Sequence, residues 1–225
     1  MSYDDLMRKR LIENNLELAG CSSDMHERIS SEDVFYDAPL LWEHHIKPEI
    51  CDQWLSEFQS KYEYTVGTLF TKDGPQNKND FRNNSRLEIW DKDLAFEMFY
   101  GAVRLGTNTP NYLGNNVLVG PSEYIRLYKY VPGQYFKPHT EHPWRKNDDE
   151  RTRAVILVYL NDDFEGGDTV FLDYGRVIRP KKGLVLGFQD QLLHEGKEVI
   201  SGEKYVLRFD LVYRRTNPAS WFQTA

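Results

Sequence analysis

Three residues in the second half of the chain have the types and spacing of a metal site. His139 follows a strand-like segment and is itself followed two positions later by Glu141. In extended or turn geometry, residues i and i+2 project to the same side, so an imidazole and a carboxylate can share one ion. His194 ends another β-like segment 55 residues after His139. Two imidazoles and one carboxylate form the ligand set of non-haem Fe(II) oxygenases. We call His139, Glu141 and His194 the triad.

Two cations downstream of the triad predict a site for an anion. Lys204 and Arg208 lie ten and fourteen positions after His194, and they share one side of a predicted strand. A cation inside a mostly apolar barrel is costly unless an anion meets it. A dicarboxylate that chelates the metal at one end would supply that anion at its other end.

The elements that must position these residues change in character near Asn116. Before it, the sequence predicts one helix from Pro48 to about Lys61 and a second, capped by Asp91, to about Arg104. Between the helices we predict a strand over 62–70 and a mobile loop over 71–84. After Asn116, turn residues separate short β segments at 122–131, 152–160, 168–172, 183–188 and 204–213. This order indicates an α+β fold with a β-sandwich or jelly-roll barrel as its main body.

Composition and charge limit the classes of protein. A chain of 225 residues with 40% hydrophobic residues can bury a sizeable core in one domain. The formal net charge of -7 argues against a broad surface for nucleic acid or acidic membranes. Two cysteines give no disulfide framework. Because the start lacks a signal-peptide pattern and the longest apolar run is 154–160, we predict a cytoplasmic protein without membrane spans.

Three blocks of sequence resemble the catalytic core of prolyl 4-hydroxylase-type 2-oxoglutarate/Fe(II) dioxygenases. They are YVPGQYFKPHTE, RAVILVYLNDDFEGGDTVF and GLVLGFQDQLLHEGKEVISGEKYVLRFDLVY, in the family's order, and the match covers about 122–214. A weaker similarity, RNNSRLEIWDKDLAFEMF, covers 82–99. The resemblance implies a double-stranded β-helix (jelly roll) core flanked by N-terminal helices. We accordingly divide the chain into an N-terminal extension at 1–32, which includes a predicted helix, and an oxygenase domain at 33–225.

The resemblance also implies roles for single residues. The triad would bind Fe(II), and Lys204 would bind the far carboxylate of 2-oxoglutarate. Tyr130, nine residues before His139, matches a tyrosine that hydrogen-bonds the same co-substrate. Arg208 has no assured family role and is an alternative partner for that carboxylate. The implied cofactors are Fe(II), 2-oxoglutarate and O2, with ascorbate as a candidate reductant, and the implied reaction is hydroxylation of a C–H bond.

Glu141 departs from the family pattern, whereas the turn at 166–169 follows it. Glu141 stands where the family usually has Asp, and its extra methylene gives longer reach but more rotamers to lose. His142 and Asp148 are nearby carriers of ligand atoms, but neither has the two-residue spacing from His139. The segment Gly166–Thr169 matches the family's GG-x-T turn, a tight turn that requires positive φ.

The substrate is expected between two rim segments, the 71–84 loop and the 142–151 insert. The candidate contacts are Arg82, Asn84, Arg86 and Trp144, and a solvated loop position is the alternative for each. A prolyl residue of a peptide or an amino-acid-like small molecule fits this reading. Two other classes remain: a nucleic-acid-repair-type oxygenase, which needs a basic groove, and a non-catalytic jelly-roll metal-binding protein, which needs neither Tyr130 nor Lys204.

Overall fold

The computed structural model describes residues 41–66, 69–71, 74–76, 80–104 and 109–216. The predicted extension at 1–32, with its helix, lies outside these ranges. Within them, no helix combines the length and the apolar character that a membrane crossing requires.

Two α-helices precede the main β structure. Helix α1 spans Pro48–Lys61, as predicted, with the proline in its first turn. Helix α2 spans Lys92–Phe99, and the side chain of Asp91 accepts a hydrogen bond from the backbone N–H of Leu94. The chain then continues as a π-helical turn, Tyr100–Arg104. The predicted second helix therefore has the predicted cap and end, but its winding changes from α to π.

The described residues form sixteen β-strands, most of them after the second helix. The strands are β1 Leu41–His45, β2 Thr65–Val66, β3 Leu69–Thr71, β4 Gly74–Gln76, β5 Ser85–Trp90, β6 Tyr112–Leu113, β7 Asn116–Tyr130, β8 Phe136–His139, β9 Glu150–Tyr159, β10 Glu165–Gly166, β11 Thr169–Phe171, β12 Arg176–Ile178, β13 Leu184–Gln189, β14 His194–Gly196, β15 Val199–Ser201 and β16 Lys204–Arg215.

The predicted strands are present with shifted ends, and one prediction needs correction. The five strands expected beyond Asn116 are β7, β9, β11, β13 and β16, of which β7 begins six residues earlier than predicted. The stretch expected as a strand over 62–70 is divided between β2 and β3, and the stretch expected as a loop from 71 contains part of the β3–β4 hairpin. Gly74 and Pro75 of β4 are poor strand formers, but pairing with β3 outweighs this weak preference.

Two antiparallel sheets dominate the fold and are consistent with a jelly-roll core. The larger has the order β1-β13-β9-β16-β7-β5-β2, with β6 paired to β7. The smaller has the order β12-β11-β14-β8. The strands β10 and β15 form a separate antiparallel pair. Neighbours in the larger sheet lie far apart in sequence, as expected of a fold built from crossing connections.

Alternation along the central strands sends side chains to two different apolar clusters. On β16, Leu207 and Phe209 pack with helix residues such as Trp54, whereas Val206 packs with residues of the smaller sheet such as Phe171. The helices therefore cover one face of the large sheet, and the small sheet faces the other. Because successive strand residues point to opposite faces, Lys204 and Arg208 share the face of Val206, between the sheets.

Candidate metal centre

Pairing between β8 and β14 brings the two histidines of the triad together. His139 and His194 are directly opposed partners in this antiparallel pair, and their ring centroids lie 4.3 Å apart. Opposed residues in such a pair carry side chains on the same face, which explains the convergence. Glu141 follows the end of β8, where its backbone N–H donates to the carbonyl of Asp190 at 2.8 Å. This bond fixes the chain beyond the strand, so the carboxylate turns back toward the imidazoles.

The ligand atoms of the triad converge on one small volume. They all lie within 4.8 Å of one another, and no other such group occurs in the part of the chain that the structure describes. Glu141 Oε1 is 3.7 Å from His139 Nε2 and 3.5 Å from His194 Nε2. Each Nδ1 faces a backbone carbonyl, at 2.7 Å and 2.9 Å respectively. Donation from Nδ1 leaves the Nε2 lone pairs free for a metal, so the donor set fits Fe(II).

The surroundings of His139 and Glu141 favour the protonation states that bind metal. Burial lowers the pKa of His139 below its ordinary value, which favours the neutral imidazole. Burial alone would raise the pKa of Glu141, but the charge of Arg208 and the two imidazoles outweigh burial and hold the pKa well below its usual range. A neutral imidazole and an ionised carboxylate are the ligand forms that a divalent cation requires.

Arg208 is the direct partner of the unusual glutamate. Its Nη1 donates to Glu141 Oε1 at 2.6 Å, while Nε and Nη2 donate to Asp210 Oδ1 at 3.1 Å and 3.0 Å. Arg126 binds the other oxygen of Asp210. The guanidinium thus fixes the longer side chain at this position. A role for Arg208 at the co-substrate stays a prediction, because its observed carboxylate partners belong to the protein.

Lys204 is a buried cation with no described carboxylate within ion-pair distance. Only 3% of the residue is exposed, and its Nζ donates to the carbonyl of Gly167 at 2.5 Å. The Nζ also lies 5.3 Å and 5.4 Å from the ring centroids of Tyr130 and Tyr159. Burial lowers the pKa of Lys204 to about 7. An anion placed beside this amine would therefore be strongly stabilised.

One cavity connects the triad to Lys204. The residues that line it include all three members of the triad, together with Tyr130, Thr169, Lys204 and Arg208. Burial raises the pKa of Tyr130, so its hydroxyl stays protonated and can donate a hydrogen bond. A metal site at one end and a cation with a hydroxyl donor at the other suit a ligand with two carboxylates. The predicted residues Tyr130 and Lys204 are thus brought together with the triad.

The GG-x-T turn shapes the wall behind Lys204. Gly166 and Gly167 have φ of 74° and 66°, which confirms the positive φ predicted for this turn. A Cβ on Gly166 would lie 2.4 Å from the carbonyl oxygen of Glu198, and one on Gly167 would lie 3.0 Å from Lys204 Cδ. The turn therefore allows β10 and β15 to approach closely and supplies the carbonyl that Lys204 binds.

A larger cleft of about 800 Å³ opens beside the triad. It shares His139, Glu141 and Arg208 with the metal site. Of the predicted substrate contacts, Arg82, Arg86 and Trp144 line this cleft. The fourth, Asn84, is fully buried and instead accepts a hydrogen bond from Arg82 Nε at 2.6 Å. Asn84 is therefore placed to hold Arg82 and not to lie on the rim.

Sequence reasoning missed several residues that line the cleft, among them Trp90, Tyr124 and Arg126. Tyr124 and Arg126 lie on β7, and the ring of Trp90 on β5 stacks on Tyr124 with centroids 4.5 Å apart. A signal for the first two was present, because polar or aromatic residues alternate along β7 at positions 124, 126, 128 and 130. Trp90 carried no comparable signal, since its place depends on the pairing of β5 with β7.

Sequence comparisons identify the core of this chain. The model of the 2OG-Fe(II) oxygenase superfamily matches residues 125–209, which contain the whole triad. Prolyl 4-hydroxylase 1 of Arabidopsis thaliana is 30% identical over 108 residues, which cover 37% of this chain and 38% of the plant protein. A putative prolyl 4-hydroxylase of Acanthamoeba polyphaga mimivirus is 28% identical over 110 residues, or 40% of this chain and 45% of the viral protein. The chain spans less than half the length of these curated relatives.

Solved structures share the fold over a longer range. A viral collagen prolyl hydroxylase from Paramecium Bursaria Chlorella virus-1, solved with 2OG, has a TM-score of 0.52 at 20% identity and covers 78% of this chain and 97% of its own. A prolyl hydroxylase from Trichoplax adhaerens, solved with a hypoxia inducible factor peptide fragment, has a TM-score of 0.59 at 16% identity and covers 96% and 94%. Likeness at this identity establishes the fold alone.

The triad lies inside the segment that matches the 2OG-Fe(II) oxygenase superfamily, and its donor set fits Fe(II). Residues 125–209 are therefore similar to the 2OG-Fe(II) oxygenase superfamily, and the two relatives that match part of the chain are a prolyl 4-hydroxylase and a putative one.

Proposed function

We propose that this protein is a dioxygenase that hydroxylates a C–H bond of a prolyl residue or of an amino-acid-like small molecule. The observation that carries the proposal is the cavity that joins the triad to Lys204, a buried cation without a described carboxylate partner. A protein that only stored a metal would gain nothing from such a cation, because burying it costs free energy. A 2-oxoglutarate molecule would offset that cost with its far carboxylate.

Each residue of the site has a distinct task in this proposal. Fe(II), when held by the triad, would supply the activation of O2 and the oxidising chemistry. Arg208 keeps Glu141 ionised and fixes its orientation. Lys204 and Tyr130 bind the far carboxylate of 2-oxoglutarate and thereby set its position. The substrate enters by the large cleft, which reaches His139 and Glu141.

The two alternative classes have less support. An oxygenase that repairs nucleic acid needs a basic groove, whereas three of the four arginines that line the cleft are paired with carboxylates. If the protein were a non-catalytic jelly roll, the costly burial of Lys204 would have no functional explanation. The peptide in the Trichoplax adhaerens structure supports a peptide as one form of the substrate. A cytoplasmic location, and a domain boundary near residue 32, remain parts of the proposal.

The proposal is tested by the conversion of 2-oxoglutarate to succinate by the full chain with Fe(II), with and without a panel of proline peptides and free amino acids. We expect Fe(II)-dependent succinate formation that a substrate stimulates, with a gain of 16 Da in that substrate. His139→Ala and His194→Ala should abolish the activity and nearly all binding of Mn(II), whereas His45→Ala, at an exposed position of β1 that lines neither cavity, should keep both. Full metal binding and turnover in both triad variants would disprove the assigned site.

A further inference from the structure

The charges that line the large cleft do not balance. Among the described lining residues there are four arginines, Arg82, Arg86, Arg126 and Arg208, and three carboxylates, Glu88, Glu141 and Asp210. Each carboxylate has an arginine partner. Arg86 binds Glu88 at 3.0 Å, Arg126 binds Asp210, and Arg208 binds both Glu141 and Asp210. One cation, Arg82, therefore has no carboxylate partner among the residues that line the cleft.

Arg82 is buried, but its guanidinium is not fully hydrogen-bonded. Its exposed fraction is 4%, its Nε donates to Asn84 Oδ1 at 2.6 Å, and its Nη2 has no hydrogen-bond partner. A buried guanidinium nitrogen without a partner is costly, because its desolvation is not offset by a hydrogen bond. Burial lowers the pKa of the neighbouring Arg86, and the positive charge of Arg82 lowers it further. An anion that enters the cleft would offset both the desolvation of Arg82 and its repulsion with Arg86.

The position of Arg82 points this charge toward the reacting centre. Its Cζ lies 4.5 Å from the ring centroids of both Tyr128 and Phe136. The Phe136 ring in turn stacks on the triad residue His139, with centroids 3.5 Å apart and an interplanar angle of 17°. A single aromatic ring thus separates the guanidinium from a metal ligand. A group that binds Arg82 would lie close to the carbon that is oxidised.

The remainder of the cleft wall suits a ligand larger than a single small anion. The stacked pair Trp90–Tyr124 and the indole of Trp144 line it, and Trp90 and Trp144 are 67% and 47% exposed. Exposed aromatic side chains of this kind offer apolar surface beside a polar contact. The volume of about 800 Å³ is in the range of pockets that enclose drug-sized ligands or short peptide segments.

We propose that the substrate carries a carboxylate beside the carbon that is oxidised, and that Arg82 binds this carboxylate in the cleft. The inference deepens the proposed function and rests on it, since it names the chemical class of the substrate. The carboxylate belongs either to an acidic residue next to the target residue of a peptide or to the substrate's own α-carboxyl group. Both sources present the same planar anion, which a guanidinium binds well.

Cation–π contact with Tyr128 and Phe136 offers Arg82 a purely structural role, which predicts a different outcome. A structural Arg82 would support His139 through Phe136 and would be indifferent to the charge of the substrate. A binding Arg82 would make affinity depend on that charge. At long range, the net charge of -7 would repel a carboxylate ligand. A preference for carboxylate ligands over neutral ones would therefore come from the cleft itself.

The test measures binding without turnover, by calorimetry on the full chain loaded with Zn(II) and 2-oxoglutarate. The peptide probes are acetylated and amidated hexapeptides with one central proline flanked by Glu, Gln or Lys. The small probes are N-acetylproline and N-acetylprolinamide. In at least one pair, we expect the carboxylate form to bind about tenfold to a hundredfold more tightly than its neutral counterpart. The pair that shows the preference identifies the source of the carboxylate.

Variants then assign the preference to Arg82. Arg82→Gln should reduce the ratio of the affinities for the carboxylate and neutral probes to within about twofold. Arg82→Lys should keep part of this preference because the positive charge remains. The matched control is Arg176→Gln on β12, which removes one charge from a surface ion pair with Glu43 of β1. Binding of Zn(II) and 2-oxoglutarate reports the folded state of each variant. If Arg82→Gln does not fold, the wild-type ratio and Arg82→Lys decide.

Two results would overturn the inference. One is a wild type that binds carboxylate and neutral probes equally, or binds none of them. The other is a carboxylate preference that survives intact in folded Arg82→Gln. Failure of the proposed function looks different: the wild type would show the carboxylate preference but no Fe(II)-dependent conversion of 2-oxoglutarate to succinate.

Discussion

At the scale of single residues, Glu141 is the point on which the metal site depends. Its carboxylate oxygen faces two imidazoles and one guanidinium, and it is 12% exposed. A buried carboxylate with this many positive or donor partners is held in one orientation, which offsets the extra rotamers of glutamate. The contact with Arg208 thus holds Glu141 in place at a position where the shorter aspartate is usual in the similar family.

The glutamate should therefore be hard to replace. We expect Glu141→Gln to lower the affinity for Mn(II) and the Fe(II)-dependent formation of succinate at least about tenfold, because a neutral amide is a weak ligand for a divalent cation. Glu141→Asp should keep part of both, limited by its shorter reach toward Arg208. Metal titration and succinate assays measure these effects. Equal values in all three proteins would mean that the carboxylate is not a ligand.

Lys204 and Arg208 should differ in what they bind. Lys204→Ala should raise the apparent constant for 2-oxoglutarate about tenfold to a hundredfold and leave metal binding intact, because it removes one charged hydrogen bond. Arg208→Ala should affect that constant less and metal affinity more, since Arg208 binds Glu141. Binding of each ligand is measured separately. The reverse ranking would make Arg208 the anchor and leave the triad unchanged.

The lowered pKa of Lys204 predicts a pH dependence. In the free site, burial lowers this pKa to about 7, so the amine loses its charge as the pH rises above that value. Binding of a carboxylate favours the charged form, so the complex must take up a proton above about pH 7. Affinity for 2-oxoglutarate should then fall as the pH rises from about 7 to 9. Lys204→Arg should flatten this dependence in calorimetric titrations, because arginine stays protonated throughout; an unchanged slope would assign it to another group.

At the scale of elements, tight turns and strand pairing place the residues of the site. The β8–β14 pair opposes His139 and His194, with a register shift just beyond it at Gly196. The β7–β16 pair sets Tyr130 directly opposite Lys204. Opposed residues share one face, so these two pairs of strands place His139, His194, Tyr130 and Lys204 around the same cavity. The GG-x-T turn closes the cavity behind Lys204.

This turn should be less tolerant of substitution than another turn of similar backbone geometry. Gly166 and Gly175 have φ of 74° and 58°, but only Gly166 would place a Cβ against backbone, 2.4 Å from the carbonyl oxygen of Glu198. We expect Gly175→Ala to cost about 1 kcal/mol for the positive φ alone, and Gly166→Ala to cost about 1–3 kcal/mol more from the clash. Urea unfolding compares the two. Equal losses would show that β10 and β15 can separate freely.

At the scale of the whole molecule, the helices and the site occupy opposite faces of the large sheet. Helices α1 and α2 bury Trp54, Phe58 and Met98 against one face, and the smaller sheet encloses the triad on the other. This separation leaves the metal site on paired strands, which hold ligand geometry more rigidly than loops do. The net charge of -7 describes the molecule as a whole, whereas the cleft collects arginines. Overall charge is therefore a poor guide to what the cleft binds.

The sequence by itself determined the local parts of this protein. The two-residue spacing of His139 and Glu141, the cap at Asp91 and the positive φ at Gly166 depend on neighbours in the chain, so local stereochemistry was enough to predict them. The shared face of Lys204 and Arg208 also follows from the period of a strand. The order of the three sequence blocks additionally indicated, through the resemblance, the class of the catalytic core.

Only the tertiary structure decided which distant residues meet. Arg208 binds Glu141 across 67 positions, and Arg82 reaches Phe136 through an isolated bridge. Asn84 looked like a rim residue but is buried. Register between strands far apart in sequence sets each of these contacts, and a shift of one residue would turn the side chains to the other face. No local pattern encodes that register, because it is fixed by the packing of the whole core.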